Sequence, residues 1–289
     1  MSFAVLSDLR ADYDALFCDV WGVIRDGRAL LPEAVEALRR FRETDGVVCL
    51  VSNSPRRGYD LTERLREMGF PDDAFDAVVT SGDATHAELL ARVPGKALRI
   101  GTDFDVSLYE GLDLEFTGVE EADFISCTGP DDYWNGKPED YREVLEIALK
   151  RDLDLVCANP DIVVQAGDQL IYCAGAIARL YREMGGRSIV AGKPHRPIYA
   201  LARAALAEAG RAVPDSRILM VGDGPETDLE GAKRAGIDAL FIADGILSGD
   251  LDAGSFDPEA VTEALARYGA SAKHLAPRLV WQAPDGASD

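Results

Sequence analysis

The chain reads as an α/β protein built on parallel strands, and three features predict it. Short apolar, β-branched runs recur along the 289 residues, amphipathic helical patterns separate them, and the runs end in small or acidic residues. A strand covered on both faces is apolar at nearly every position, and a parallel neighbour requires a crossover long enough to hold a helix. Alternation of the two patterns therefore predicts a sheet flanked by helices, with ligands bound beyond the carboxyl ends of the strands.

The elements follow in order. Ala15–Val20 is the first buried strand, and Leu31, Val35 and Leu38 recur at helical spacing behind Pro32. Val47–Ser52 is the second strand, followed by a helix carrying Leu61, Leu65 and Met68 behind the box-like start Asp60-x-x-Glu63. Strands are expected at Ala77–Thr80, Ala97–Gly101 and Asp123–Cys127. A helix with Tyr141, Leu145 and Ala148 follows Pro138, and another with Ile177, Leu180, Tyr181 and Met184 stops at Gly185-Gly186. After the strand Ser188–Gly192, Ile198, Leu201 and Ala205 form a helical face behind Pro197, and the strands Arg217–Gly222 and Asp238–Ala243 follow. Proline in a first turn, a capping box and terminal glycines are the physical start and stop signals used here. The tail beyond Trp281 is short and polar and is expected to fray.

Composition narrows the function. Acidic residues outnumber basic ones 51 to 30, a net charge of −21 that opposes binding to nucleic-acid phosphates. The five cysteines (Cys18, Cys49, Cys127, Cys157, Cys173) sit singly, mostly in apolar runs, without a C-x-x-C pair or a histidine spaced to complete a zinc site. They read as buried thiols of a protein in a reducing, cytoplasmic setting. Neither a signal-peptide core nor an apolar stretch long enough to span a bilayer is found, so no membrane partner is expected. The stretch from Asp83 to Gly186 has strands and helices of its own. The economical division is residues 1–82 with 187–289 as one domain and residues 83–186 as a second α/β domain inserted into it.

The residues just past the strand ends carry the chemistry: Asp19, Ser52-Asn53, Lys193 and Asp223, with Asp228 a few positions later. Three carboxylates and an ammonium in one cleft suit Mg²⁺ and a phosphate, because Mg²⁺ takes hard oxygen ligands and shares its shell with substrate oxygens. A carboxylate can attack phosphorus and form an aspartyl-phosphate that water hydrolyses. Lysine stabilises charge on the phosphoryl oxygens, and the Ser52 hydroxyl with adjacent backbone N–H groups completes a cradle.

Four ordered motifs give a resemblance: Phe17-Cys-Asp19-Val-Trp-Gly-Val23, Leu50-Val-Ser52-Asn53-Ser54, Gly192-Lys193-Pro194 and Val221-Gly-Asp223-Gly-Pro-Glu-Thr-Asp228. Together they resemble the haloacid dehalogenase superfamily, in particular its class IIA branch of pyridoxal and nucleotide phosphatases. Ala158-Asn159-Pro160-Asp161 and Cys173-Ala-Gly-Ala-Ile177 are similar to cap segments of that branch, and the resemblance extends from about Tyr13 to Gly245. It implies a Rossmann-like three-layer core with an inserted α/β cap of the C2 type. It also implies a Mg²⁺-dependent phosphatase acting on a small phosphorylated metabolite. The implied roles are Asp19 as nucleophile and metal ligand, Ser52 and Lys193 on the phosphoryl group, and Asp223 and Asp228 at the metal. The backbone carbonyl of residue 21 meets the metal, and Asn53, Asn159 and Asp161 face the substrate. The sequence leaves a homodimer open.

One position departs. The family's hydrolases usually carry an acid/base aspartate two residues after the nucleophile, and here Trp21 stands there. Indole exchanges no proton near neutral pH, and general acid–base catalysis is worth about 10²- to 10⁴-fold, most for alkyl phosphates whose leaving oxygen needs a proton. Asp26 is the nearest substitute base. Trp21 itself reads as a core plug or as a platform for a planar substrate, and His195, close to Lys193, as an ordinary loop histidine or as a group that touches substrate or serves as a general acid. Two further readings stay open: a protein that binds a phosphorylated metabolite in a regulatory role without efficient turnover, and phosphoryl transfer to another acceptor.

Overall fold

A computed structural model describes residues 3–26, 28–166, 169–247 and 257–283. Among them the strands are β1 (Ala15–Cys18), β2 (Val47–Ser52), β3 (Ala77–Thr80), β4 (Gly95–Ile100), β5 (Leu114–Phe116), β6 (Phe124–Cys127), β7 (Asp154–Cys157), β8 (Val163–Ala166), β9 (Gln169–Tyr172), β10 (Arg187–Val190), β11 (Ile218–Gly222), β12 (Asp238–Ile242) and β13 (His274–Ala276). The chain forms two compact units. One comprises Met1–Ser52, Thr62–Val79 and Tyr199–Asp289, the other Asn53–Leu61 and Thr80–Ile198.

The first unit is organised around a six-stranded sheet in the order β13-β12-β11-β1-β2-β3. β1 runs parallel to both neighbours, with Phe17 opposite Met220 on one side and Cys49 on the other. β1, β2 and β11 are buried at every residue, as strands covered on both faces must be. Each fully buried Leu, Phe or Met there contributes about 1.5–3 kcal/mol of apolar transfer. The crossover from β1 to β2 is the helix Pro32–Glu43; its buried stripe is Ala34, Ala37, Leu38 and Phe41, so of the expected face Leu38 is buried while Leu31 and Val35 are half-buried at its edge. The crossover from β11 to β12 is shorter. A π-type turn over Pro225–Leu229 leads into the helix Glu230–Ala235, which ends at Gly236 in the left-handed region.

The second unit holds a five-stranded parallel sheet in the order β10-β7-β6-β4-β5 and an antiparallel hairpin of β8 and β9. Its core joins Ile125 and Leu155 on neighbouring strands to Leu145 of the helix Arg142–Lys150 and to Ile177 and Tyr181 of the helix Ala174–Glu183. The helix Ser81–Leu90 begins with a capping box in which Thr80 accepts the Asp83 amide proton and Asp83 accepts that of Thr80.

Strands β5, β7, β8, β9 and β13 lie beyond the sequence-based expectation. Each is only three or four residues long, too short for a periodicity to declare itself. β7 opens on Asp154, and its Leu155, Val156 and Cys157 are fully enclosed. Residues 284–289 of the polar tail lie outside the described residues. Among the described residues no helix is long and apolar enough to cross a membrane.

Candidate active site

β1 and β11 are adjacent and end together, which brings two carboxylates side by side. The Asp19 amide donates to the Val221 carbonyl (2.8 Å), extending the ladder by one residue, and Asp223 follows the last residue of β11. The π-type turn returns Asp228 beneath them. One oxygen from each of Asp19, Asp223 and Asp228 lies within 4.8 Å of the others, and all three residues are buried. Backbone donors fix two of them: Ile246 N–H donates to Asp223 Oδ2 (2.7 Å) and Gly224 N–H to Asp228 Oδ2 (2.9 Å). Glycines make room for this packing. A Cβ on Gly22 or Gly245 would lie 2.1 or 2.2 Å from Asp223 Oδ2, and one on Gly222 would lie 2.2 Å from Asp228 Cγ.

Three carboxylates gathered out of water repel one another and are costly to bury unless a cation joins them. The donor set is all hard oxygen, with two of its members held in orientation by the backbone. It therefore suits Mg²⁺ or a similar divalent ion, which needs one or two carboxylates and fills its other positions with water and phosphate oxygen.

Trp21 stands in the turn that follows β1. Gly22 adopts φ +81°, a left-handed conformation that favours glycine, and its amide donates to the Arg25 carbonyl (2.8 Å). The Arg25 amide in turn donates to the Val20 carbonyl (3.2 Å). This closed turn sets the Arg25 guanidinium over the Trp21 ring, 4.3 Å from its centroid, within the range of a cation–π contact. Asp26, the substitute base considered from sequence, is engaged elsewhere. Its Oδ1 accepts the Ala29 and Arg28 amides (2.9 Å each), which hold its carboxyl below the usual range and weaken it as a base.

In the second unit the remaining candidates meet around Asn53, whose side chain is almost wholly enclosed. Asn53 Oδ1 accepts the Lys193 amide (2.8 Å), while Nδ2 donates to Asp161 Oδ1 (2.8 Å) and to the Lys193 carbonyl (3.3 Å). Asn159 closes an Asx turn by accepting the Asp161 amide (3.1 Å), and its own carbonyl accepts Gly175 N–H (2.8 Å). Asn53, Asn159 and Asp161 thus spend polar atoms on one another and on the backbone of Lys193. Lys193 itself is 2% exposed. Gly192 admits the close approach: a Cβ there would lie 2.4 Å from Ser81 Oγ and 2.8 Å from Asn53 Oδ1. The His195 amide caps the same loop on the Gly192 carbonyl (2.8 Å). Ser52 is the buried last residue of β2 in the first unit.

Sequence reasoning missed Arg25, Ser81 and the Ile246 amide. Arg25 carried a readable signal, since it lies four residues after Trp21 across a glycine turn. Ser81 and Ile246 carried none, because their proximity comes from chain segments far apart in sequence.

Comparison with known proteins shows the family. Residues 16–115 match a family model described as haloacid dehalogenase-like hydrolase, and residues 190–268 match a second described as HAD-hydrolase-like. A crystal structure of a haloacid dehalogenase-like family hydrolase from Brucella suis 1330 is 42% identical, with a TM-score of 0.85 over 96% of this chain and 99% of that one. The D-glycerol 3-phosphate phosphatase of Mycobacterium tuberculosis is 25% identical over 84% of this chain and 66% of its own length. A glycerol phosphate phosphatase from that organism, solved in complex with magnesium, is 25% identical with a TM-score of 0.62, over 85% of this chain and 71% of that one.

Proposed function

The chain belongs to the haloacid dehalogenase-like hydrolases, and on that premise we propose that it hydrolyses small phosphate esters through an aspartyl-phosphate on Asp19. The observation that carries this reading is the trio of buried carboxylates, Asp19 and Asp223 just past the tips of two adjacent parallel strands and Asp228 from the turn that follows. The phosphatase names of the relatives support it.

Asp19, Asp223 and Asp228, together with the Trp21 carbonyl, would hold Mg²⁺, which when bound supplies positive charge against the phosphoryl oxygens. Asp19 attacks phosphorus with one carboxylate oxygen while the bond from phosphorus to the leaving oxygen breaks. Water then attacks the aspartyl-phosphate, restoring the carboxylate and releasing inorganic phosphate. Ser52 and Lys193 keep the phosphoryl-binding roles that the motif order gives them. Asn53, Asn159 and Asp161 frame the Lys193 loop and keep the substrate-facing roles that the resemblance gives them. The division expected from sequence, residues 83–186 as an inserted cap and residues 1–82 with 187–289 as the core domain, needs its second boundary moved past β10, because Arg187–Val190 pairs with Asp154–Cys157 in the sheet of the second unit.

The test is phosphate release from p-nitrophenyl phosphate with Mg²⁺ present. The wild-type protein turns over, and Asp19→Asn, which removes the nucleophilic charge with little change in shape, does not. Equal turnover by the two proteins would remove Asp19 from the reaction. The stacked Trp21–Arg25 pair at the acid/base position favours one second reading, a regulatory protein that binds a phosphorylated metabolite without turnover. That reading expects calorimetric binding and no phosphate release from any ester.

A further inference from the structure

Within the second unit, hydrogen bonds run from Asp161 through Asn53 to the backbone of Lys193. Strands β7 and β10 are neighbours in the parallel sheet, with Cys157 opposite Val190, so the loops that follow them leave the sheet side by side. Asp161 lies in the first of these loops and Lys193 in the second. Asn53 joins them: Nδ2 donates to Asp161 Oδ1 (2.8 Å) and to the Lys193 carbonyl (3.3 Å), and Oδ1 accepts the Lys193 amide (2.8 Å). These partners dictate which way the amide points. A carboxylate and a carbonyl accept and a backbone N–H donates, so a flipped amide would set like against like at all three contacts. Asp161 is the charged one of the three partners, and its bond is the strongest reason for the observed orientation. Gripping both the N–H and the C=O of one residue fixes the planar peptide on each side of its Cα, and with them the direction in which the Lys193 side chain leaves the backbone. The Asp161 end is itself held. Its amide donates to Asn159 Oδ1 (3.1 Å), and a Cβ on Gly175 would lie 2.1 Å from the Pro160 carbonyl oxygen and 2.5 Å from that of Asp161. On the lysine side, a Cβ on Gly192 would lie 2.4 Å from Ser81 Oγ, so both loops are tightly packed where Asn53 joins them.

We propose that Asp161 is a positioning residue for Lys193: acting through Asn53, it sets the lysine for the phosphoryl group, in addition to facing substrate. This rests on the reading of the chain as a phosphatase in which Lys193 binds that group. Asp161 then matters to the phosphoryl group itself, which all substrates and the product share. A carboxylate that only faced the rest of the substrate would matter to particular esters and not to inorganic phosphate. The sign of the effect is also distinctive. By Coulomb repulsion alone, removing a negative charge near an anion tightens its binding, whereas loosening the lysine weakens it.

The experiment measures the affinity of inorganic phosphate by calorimetry with Mg²⁺ present, since phosphate has no leaving group for Asp161 to face. Asp161→Asn keeps the shape and an acceptor for Asn53 but removes the charge. It should weaken phosphate binding by about 10-fold, the difference between a hydrogen bond to a charged group and one to a neutral group. Values of kcat/KM for p-nitrophenyl phosphate and for ethyl phosphate should fall together by a similar factor. In an Asn53→Ala background the same substitution should change phosphate affinity by less than about twofold, because the connection is already cut. Asp161→Glu restores the carboxylate and should bind phosphate more tightly than Asp161→Asn; this rescue carries the test if Asn53→Ala does not fold. Tighter binding by Asp161→Asn, or a change under about twofold, overturns the proposal and leaves the phosphatase reading intact. So does a loss that persists undiminished in the Asn53→Ala background, or one confined to a single ester. Undiminished phosphate affinity in Lys193→Met, or a wild type that neither binds phosphate nor turns over either ester, overturns the reading on which the proposal rests.

Discussion

Replacing Asn53 by alanine tests whether this residue is a brace for the lysine loop. The side chain is 3% exposed and makes one hydrogen bond to a carboxylate and two to the Lys193 backbone, the second of these long at 3.3 Å. A hydrogen bond to a charged group contributes about 1.5–3 kcal/mol and a neutral one about 0.5–1.5 kcal/mol. The expected loss is therefore about 3 kcal/mol, since alanine also leaves the buried Lys193 amide without its acceptor. The assay is denaturant unfolding followed by circular dichroism, without substrate or metal. A brace weakens the protein under those conditions, whereas a residue whose only partner is substrate does not. Asp161→Ala alone and together with Asn53→Ala completes a double-mutant cycle, in which contacting residues should couple by about 1–2 kcal/mol. Asn53→Asp should be worse still near neutral pH, because it sets a second carboxylate against Asp161, and should recover partly on acidification. A loss below about 1 kcal/mol for Asn53→Ala, or strict additivity with Asp161→Ala, would refute the reasoning.

Other outcomes follow from the same geometry. Mg²⁺ should raise the unfolding temperature, because it binds a carboxylate trio that only the folded chain assembles; at a hundred times its dissociation constant the gain is about 2.7 kcal/mol. Asp223→Asn should abolish that shift, and no shift in wild type would remove the metal from the site. Gly22→Ala should cost about 1–2 kcal/mol for its left-handed backbone and also displace Asp223, so that the Mg²⁺ shift disappears. Gly69→Ala, with φ +89° and open space around its Cβ, should carry the backbone cost and keep the Mg²⁺ shift. His274 lies beside Tyr13 and Lys273, and burial, aided by the Lys273 charge, lowers its pKa from 6.5. The unfolded chain then takes up a proton near pH 6.5 that the folded chain refuses, so stability is full above that pH and falls as pH drops through and below it. His274→Gln should flatten this acid limb in unfolding experiments run across pH 5–8, and an unchanged slope would exclude His274 as its source.

The amino-acid sequence by itself determined the alternation of buried strands and amphipathic helices. It also determined that acidic residues follow the first and eleventh strands. Uninterrupted apolar runs such as Ala15–Cys18 and Ile218–Gly222 leave no solvated face, so a strand covered on both sides is the only way to bury them. Once those strands pair in parallel, Asp19 and Asp223 must emerge at the same end. The helix Pro32–Glu43 was equally legible, because its stripe repeats over three turns and its proline marks the start. Only the tertiary structure decided what those polar residues touch. Asn53 reaches Asp161 across 108 positions and Lys193 across 140, and no periodicity encodes a partner at that distance. The seating of Arg25 on Trp21 depends on the left-handed turn at Gly22, and the choice of glycine there depends on Asp223 arriving from another strand. Local sequence sets which face of each element is buried; long-range packing, which the loops alone cannot specify, sets which side chains meet at the strand tips.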